Sequence, residues 1–496
     1  MRALWISFLP VSVFAVMSFA ATSGDARLVE AVKSRQASTV SSLLLQKTDV
    51  NASEADGTTA LHYAVRQDDL ALADRLLKAG ANAKAANRYG VTPLYLACLS
   101  GNSQMIERLV KGGADVNAPG IEGETPLMTA SRTGDVASVR VLLAHGADAN
   151  ARETWRGQTA LMYAAGEGHP DVIRELIDHG AAVNDRDATV KWERQTTAEP
   201  REKWLPTGSL TPLTFAARQN CVECVRVLLE KGADINATDP DGISAAVTAI
   251  INGHYDVAAL LVEKGINVNL ADATGRTALY AAVDFNTMPQ DNRPSPPNVI
   301  DNKVSALDLI QMLVAKGANV NVPLKKQIPY RAKLDRGDDT MLTTGTTPLL
   351  RAAKAADIPA MKFLLEHGAD PNLSTRNGVN PLMAAAGLGT REEDNTGRKK
   401  TDGDTIEAIQ MLLDKGVDIN AQDSRGQTAL HGAAFWGKDQ VVEFLVKKGA
   451  KIELKDKKGF TAIDSAAGLA GGVGFDQASS APRPSTVELL KRLNVK

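Results

Sequence analysis

Residues 123–150 read GETPLMTASRTGDVASVRVLLAHGADAN, and this stretch decides the fold. Thr125-Pro126 signals a helix start, because a Thr hydroxyl can cap and a proline in the first turn costs no hydrogen bond. Gly134-Asp135 then supplies a turn. Apolar residues return at helical spacing through Val139, Val141, Leu142 and Leu143. Gly146 stands where a helix must end in a left-handed residue, and the Asp/Asn-rich segment after it predicts a tight protruding turn. The reading is therefore a helix, a turn, a second helix and a finger.

The same grammar recurs along the chain. The phrase Gly-x-Thr-Pro/Ala-Leu begins at Gly57, Gly90, Gly123 and Gly157, with further copies at Gly208, Gly242, Gly275, Gly345, Gly378, Gly426 and Gly459. Successive gaps are 33, 33, 34, 51, 34, 33, 70, 33, 48 and 33 residues. An answering phrase follows about twenty-three residues later, as in Lys111-Gly-Gly-Ala-Asp115, Ala144-His-Gly-Ala-Asp148 and Glu366-His-Gly-Ala-Asp370. The first helices carry small pairs such as Ala164-Ala165 and Ala352-Ala353, which let neighbouring backbones approach closely. No single unit buries its apolar face alone, so stacking is required.

This pattern resembles the ankyrin repeat family, whose 33-residue unit carries Thr-Pro-Leu-His-x-Ala and Gly-Ala-Asp-x-Asn. Thr92-Pro-Leu94, Thr125-Pro-Leu127, Thr211-Pro-Leu213 and Thr347-Pro-Leu349 match its opening, and Leu61-His62 and Leu430-His431 restore the Leu-His pair. The resemblance implies an all-α solenoid of about ten helix-turn-helix units with finger-like β-turns, repeats occupying residues 57–458. Residues 24–56 read as an N-terminal capping helix pair and 459–496 as a degenerate C-terminal capping repeat. The sixth unit departs from the pattern, with Ser244-Ala245-Ala246 for Thr-Pro-Leu and Ile266-Asn267 for Ala-Asp, and a looser fit is expected there. The family's structural His, which bonds backbone groups between units, corresponds to His62 and His431.

The long gaps locate four insertions near residues 185–207, 285–302, 323–344 and 387–404. Pro289, Pro294, Pro296 and Pro297 make the second a stiff extended loop. The others alternate acidic and basic residues, as in Arg391-Glu-Glu-Asp394. Such runs read either as solvated loops or as partner-recognition elements, since insertions in a solenoid cluster where binding occurs. Trp192, Trp204 and Tyr330 sit in these polar stretches of a chain with only 4% aromatics and favour recognition.

Composition sets outer limits. Lys+Arg 56 against Asp+Glu 58 gives a net charge of −2, so nothing recruits nucleic acid or anionic lipid non-specifically. Three cysteines are too few for a disulfide-built scaffold. Met1-Arg2, the mostly apolar run Ala3–Phe19 and Ser18-Phe19-Ala20 together predict an export signal over residues 1–20, cleaved after Ala20, with a retained anchor as the alternative. An exported chain, periplasmic or secreted, is thus expected, without a membrane span after cleavage.

Chemistry-bearing motifs are sparse. Cys221-Val-Glu-Cys224 has redox-pair spacing. Cys224, however, falls in the register slot of Val172 and Ile106, which favours ordinary packing over a disulfide or a metal site. Cys98 occupies a small-residue slot and is expected to be inert. No His pair has metal spacing, and Asp338-Asp339 reads as a turn. No cofactor and no metal are expected. The leading functional expectation is an exported, non-catalytic, monomeric scaffold that binds an unidentified protein partner. The alternatives are an accessory subunit of an exported enzyme, or an enzyme using Arg331, Asp335, Arg336, Asp338 and Asp339. The resemblance places partner contacts at the finger tips and just after the Ala pairs. Here those positions are Arg88, Tyr89, Arg132, Trp155, Arg156, Arg218, Asp284, Lys354, Phe435 and Trp436.

Overall fold

The computed structural model describes residues 26–190, 207–287, 302–326, 328, 343–389, 400–470 and 481–495. The expected export signal, Trp192, Trp204, Tyr330, the Arg331–Asp339 set and the central parts of the four insertions lie outside the described residues. Within them are 24 α-helices in successive helix-turn-helix pairs, and β-structure is confined to isolated bridges such as Ser53 with Thr59 and Thr238 with Ser244. The chain divides into two compact units, Met1–Asp148 and Ala149–Lys496.

The first unit holds the pairs Arg27–Lys33 with Ala37–Leu45, Ala60–Arg66 with Leu70–Lys78, Pro93–Ser100 with Ser103–Lys111, and Pro126–Thr133 with Val136–Ala144. The second holds the remaining pairs, from Ala160–Glu167 with Pro170–Asp178 through Ala462–Ala466 with Pro484–Asn494. Local chemistry sets many of the boundaries. Thr92 Oγ1 accepts the Tyr95 N–H at 3.1 Å, with Pro93 in the first turn. The second helices are capped by Asp69, Asn102 and Asp135, each accepting the amide three residues on at 2.9 Å. After Leu70–Lys78 the chain turns through Gly80 at φ +94°, while the Ala81 N–H returns to the Leu76 carbonyl at 2.9 Å. A side chain at Gly80 would strain that left-handed turn. Leu61, Leu94 and Leu127 in the first unit, and Leu161, Leu213, Leu279, Leu349, Leu382 and Leu430 in the second, are at most 1% exposed. Each contributes about 1.5–3 kcal/mol through burial.

Asparagines staple successive repeats together. Asn51 Nδ2 donates to the Gly80 carbonyl at 3.1 Å, and its Oδ1 accepts the Asn82 N–H at 2.7 Å. Asn117, Asn150, Asn184, Asn269, Asn321 and Asn420 repeat the arrangement within their own units.

Two histidines do the same work from the finger side. The Thr59 N–H donates to His62 Nδ1 at 3.1 Å, so the ring proton sits on Nε2 and reaches the Val91 carbonyl at 3.0 Å. His431 joins the Thr428 N–H at 3.1 Å to the Phe460 carbonyl at 3.2 Å. Burial, the largest influence, holds both rings below the usual imidazole range. Because the folded rings resist protonation, the unfolded chain takes up protons first, near pH 6.5. Their stabilising contribution is therefore complete above about pH 6.5 and is lost as pH falls toward the lowered folded values. The unfolding free energy from urea titration is expected to drop between about pH 7 and about pH 5 by up to roughly 1.4 kcal/mol per His per pH unit. An H62Q/H431Q variant should show a flatter profile, and an unchanged slope would remove these rings as its cause.

Three features of the fold depart from the sequence reading. The sixth unit is not loose: Ser244 Oγ accepts the Val247 N–H at 3.3 Å, Ile266 is buried, and Asn302 Oδ1 and Asp256 tie its second helix to the chain after the insertion. The second insertion, expected to begin at Phe285, starts later: the helix before it runs to Thr287, with Phe285 buried against Ile251. The third insertion begins anchored rather than solvated, with Leu324 and Ile328 buried on Tyr280 and the Lys325 N–H donating to the Thr274 carbonyl at 2.7 Å.

Candidate protein-binding surface

Finger tips are shaped by a side chain at their base. In fingers of ordinary length this is Asn87, Asp239 or Asp423, whose Oδ1 accepts the amides two and four residues on at 2.8–3.1 Å. The finger before Gly157 carries one extra residue, the source of its 34-residue gap. Its base is Glu153, one methylene longer and 5% exposed, which accepts the Trp155 N–H at 2.5 Å and the Arg156 and Gln158 N–H groups at 2.8 Å. A longer acid thus spans a longer turn. The turn also docks on the next finger, whose Ala188 N–H donates to the Arg156 carbonyl at 2.6 Å.

This arrangement pushes Trp155 outward. Its side chain is 68% exposed, with the Arg156 guanidinium 4.3 Å above the ring. Arg218 lies over Phe215 at 4.9 Å. Beneath them Asp187 is buried and accepts the Leu210 N–H at 2.5 Å. Burial pushes its carboxyl up, while that N–H, Gln158 and the charges of Arg156 and Arg218 pull it back. Arg156 and Arg218 are therefore gathered around one acid, with Trp155 stacked on the first. The charges of the two arginines are only partly offset, and the ring has apolar area to lose on binding.

The first unit gathers Arg88, Tyr89 and Arg132. Arg88 stacks on Tyr89 at 4.7 Å, and Tyr89 is 49% exposed. Tyr89, Val91, Tyr95, Gly120 and Glu124 line a depression of about 70 Å³. Glu124 pairs with Arg132 at 2.8 Å and accepts the Thr129 hydroxyl at 3.0 Å.

Two expected contact residues, Asp284 and Lys354, are corrected. Asp284 is 1% exposed and paired with Arg351, so it faces the interior. Lys354 is buried, and Lys400 Nζ donates to its carbonyl at 2.9 Å. Trp436 is half-buried and donates its indole N–H to the Gly387 carbonyl at 2.9 Å, and Phe435 packs edge-on to it at 5.2 Å. The Trp436 indole thereby holds the chain after the preceding helix. Cys224 is buried as expected of a packing residue, but it is also disulfide-bonded to Cys221. Cys98 is buried, and burial pushes its thiol far above the ordinary range. Among the described residues no group of three or more His, Cys, Asp or Glu side chains is placed to hold a metal ion, and no helix is long and apolar enough to cross a membrane. Glu153 and Asp187 escaped the sequence reading, although the 34-residue gap was a signal for the first.

Known proteins share this architecture. A family model described as "Ankyrin repeats (3 copies)" matches residues 28–119, 114–187, 213–323, 300–393 and 400–472, most of the chain. The chain is 27% identical over 195 residues to the Ankyrin repeat and KH domain-containing protein mask-1 of Caenorhabditis elegans, covering 36% of this chain and 6% of that protein. It is 25% identical over 239 residues to the E3 ubiquitin-protein ligase KEG of Arabidopsis thaliana, covering 43% and 13%. It is 34% identical over 114 residues to the human SH3 and multiple ankyrin repeat domains protein 2, covering 19% and 6%. The chain thus spans well under two thirds of each relative's length. The crystal structure of the human ASB11 ankyrin repeat domain superposes with a TM-score of 0.40 at 26% identity, covering 48% of this chain and 96% of that one.

Proposed function

We propose, from the premise that this chain belongs to the ankyrin repeat family, that it is an exported, non-catalytic scaffold capturing a protein partner through its finger tips. Repeats of this family make protein–protein interaction scaffolds, and the finer reading rests on one observation. Trp155 is a large aromatic side chain left 68% exposed on a turn that buried Glu153 fixes in place. A rigid aromatic beside arginines fits the usual make-up of an interface hot spot, since its ordering cost is already met in the free protein. The partner patch it suits is apolar at its centre with carboxylates around it, facing Arg156 and Arg218. Export rests on the apolar run Ala3–Phe19 and the small residues at Ser18 and Ala20.

The test is capture of partners from a periplasmic extract by wild-type and W155A protein. W155A should bind more than tenfold more weakly, a loss of at least ~1.4 kcal/mol, with helical circular dichroism unchanged. Equal capture by the two proteins removes the finger from the interface. Amino-terminal sequencing of the protein recovered from the cell envelope should begin at Ala21, and an intact Met1 start would refute cleavage.

A further inference from the structure

The disulfide between Cys221 and Cys224 occupies an unusual place in the repeat. Cys221 is the N-cap of the nine-residue helix Val222–Glu230, and its Sγ accepts the Cys224 N–H at 3.1 Å. In other units that position belongs to Asp69, Asn102 or Asp135, whose oxygens accept the equivalent amide. A sulfur therefore stands where this fold elsewhere seats a carboxylate or amide oxygen. The position lies at the positive end of the helix dipole, which together with the N–H donor favours an anionic sulfur. Glu223, the nearby acid on the first turn, is matched by Arg174 at 2.8 Å and Arg226 at 3.3 Å.

The two sulfurs are unequally accessible. Cys221 is half-buried at the helix start, whereas Cys224 is 0% exposed among core residues such as Val225 and Leu228. An incoming thiolate can meet only the first. A disulfide serving as a plain staple would gain most by closing a long loop, yet this one closes three residues already held in a helix turn. Stabilisation therefore explains it poorly.

We propose that Cys221–Cys224 is a thiol–disulfide exchange site acting on dithiols, with Cys221 the attacked sulfur and Cys224 the buried resolving sulfur. A substrate thiolate attacks Cys221 Sγ; the Cys221–Cys224 bond breaks, its electron pair passes to Cys224 Sγ, and that sulfur takes a proton from solvent. The substrate's second thiol gives up its proton and attacks the substrate sulfur of the mixed disulfide. The bond to Cys221 breaks with its electron pair left on Cys221 Sγ, a thiolate accepting the Cys224 N–H. The substrate is oxidised by two electrons and the protein pair is reduced to a dithiol, which a disulfide such as oxidised glutathione restores.

The experiment uses the purified full chain and a reduced synthetic peptide carrying two cysteines. Wild-type protein should form the peptide disulfide at least tenfold faster than C221S, which keeps a capping hydroxyl and the fold. C224A, exposed to oxidised glutathione, should hold a mixed disulfide that mass spectrometry maps to Cys221. Equal rates for wild type and C221S, a glutathione adduct no more abundant on Cys221 than on Cys98, or a wild-type pair that excess dithiothreitol leaves oxidised in the folded protein would each overturn the proposal. If C224A loses helicity, the wild-type and C221S rates decide alone.

Discussion

Replacing Asp284 with Ala is expected to destabilise the second unit by about 3–5 kcal/mol, the cost of leaving a buried charge without its partner. Arg351 is among the largest fully buried side chains, 1% exposed, and its Nε donates to Asp284 Oδ1. Its Nη2 has no acceptor among the described residues. Asn286, on the same helix as Asp284, donates to Asp357 at 2.5 Å, so the pair sits in a polar seam between Ala278–Thr287 and the helices Pro348–Ala355 and Ile358–Glu366. With Asp284 gone, the guanidinium must stay desolvated or tear the seam open. The D284L/R351M variant removes both charges at similar volume and should recover most of the loss, because apolar replacement of a buried pair is often neutral. Urea midpoints for the single and double variants measure this. A D284A unfolding free energy within about 1 kcal/mol of wild type would show the guanidinium to be compensated elsewhere.

A methyl group at Gly432 should also destabilise, against the usual trend. Alanine in a helix interior is ordinarily favoured over glycine by about 1 kcal/mol. Gly432 lies in the helix Ala429–Phe435, at the register slot where other units carry Tyr63, Tyr163 or Phe215. Here a Cβ would come 2.6 Å from the Leu388 nitrogen and 2.8 Å from its Cα. The chain entering the fourth insertion lies directly against the helix, clamped by Trp436 on Gly387. Neither backbone can yield cheaply, so G432A should cost about 1–3 kcal/mol net, the range for overpacking. G166A is the control, since its added Cβ meets only Phe215 at an ordinary 3.6 Å and should be neutral or mildly stabilising. If both substitutions shift the urea midpoint alike, the clamp does not constrain Gly432.

What the sequence made legible was the chemistry that acts over short range. Thr-Pro starts, glycine ends and the Leu-Ala core pattern are each decided within a few residues, and they recur often enough to fix the phase of every helix. The histidine bridges were readable for the same reason. What escaped reading lies far apart along the chain. Asp284 sits in the slot that elsewhere holds exposed Arg66 and Arg218, and only its partner 67 residues away, beyond two insertions, turns it inward. The acceptor of the Trp436 indole, the Gly387 carbonyl, likewise belongs to the start of an insertion that has no counterpart in the repeat. The exposure of Trp155 is set locally, by a turn one residue longer and an acid one methylene longer.

The asparagine staples have a consequence for how the chain varies. Between uninterrupted repeats, Asn51 and Asn117 each reach a glycine carbonyl 29 residues ahead. Asn184, Asn269 and Asn321 make the same bond across 48, 48 and 47 residues. The clasp is blind to how much polypeptide runs between its halves, and the entropy of closing a loop rises only slowly with its length. These three steps are therefore natural ports for splicing: an epitope, a fluorescent module or a drifting stretch of sequence can be accepted there while the neighbouring helices keep their seats.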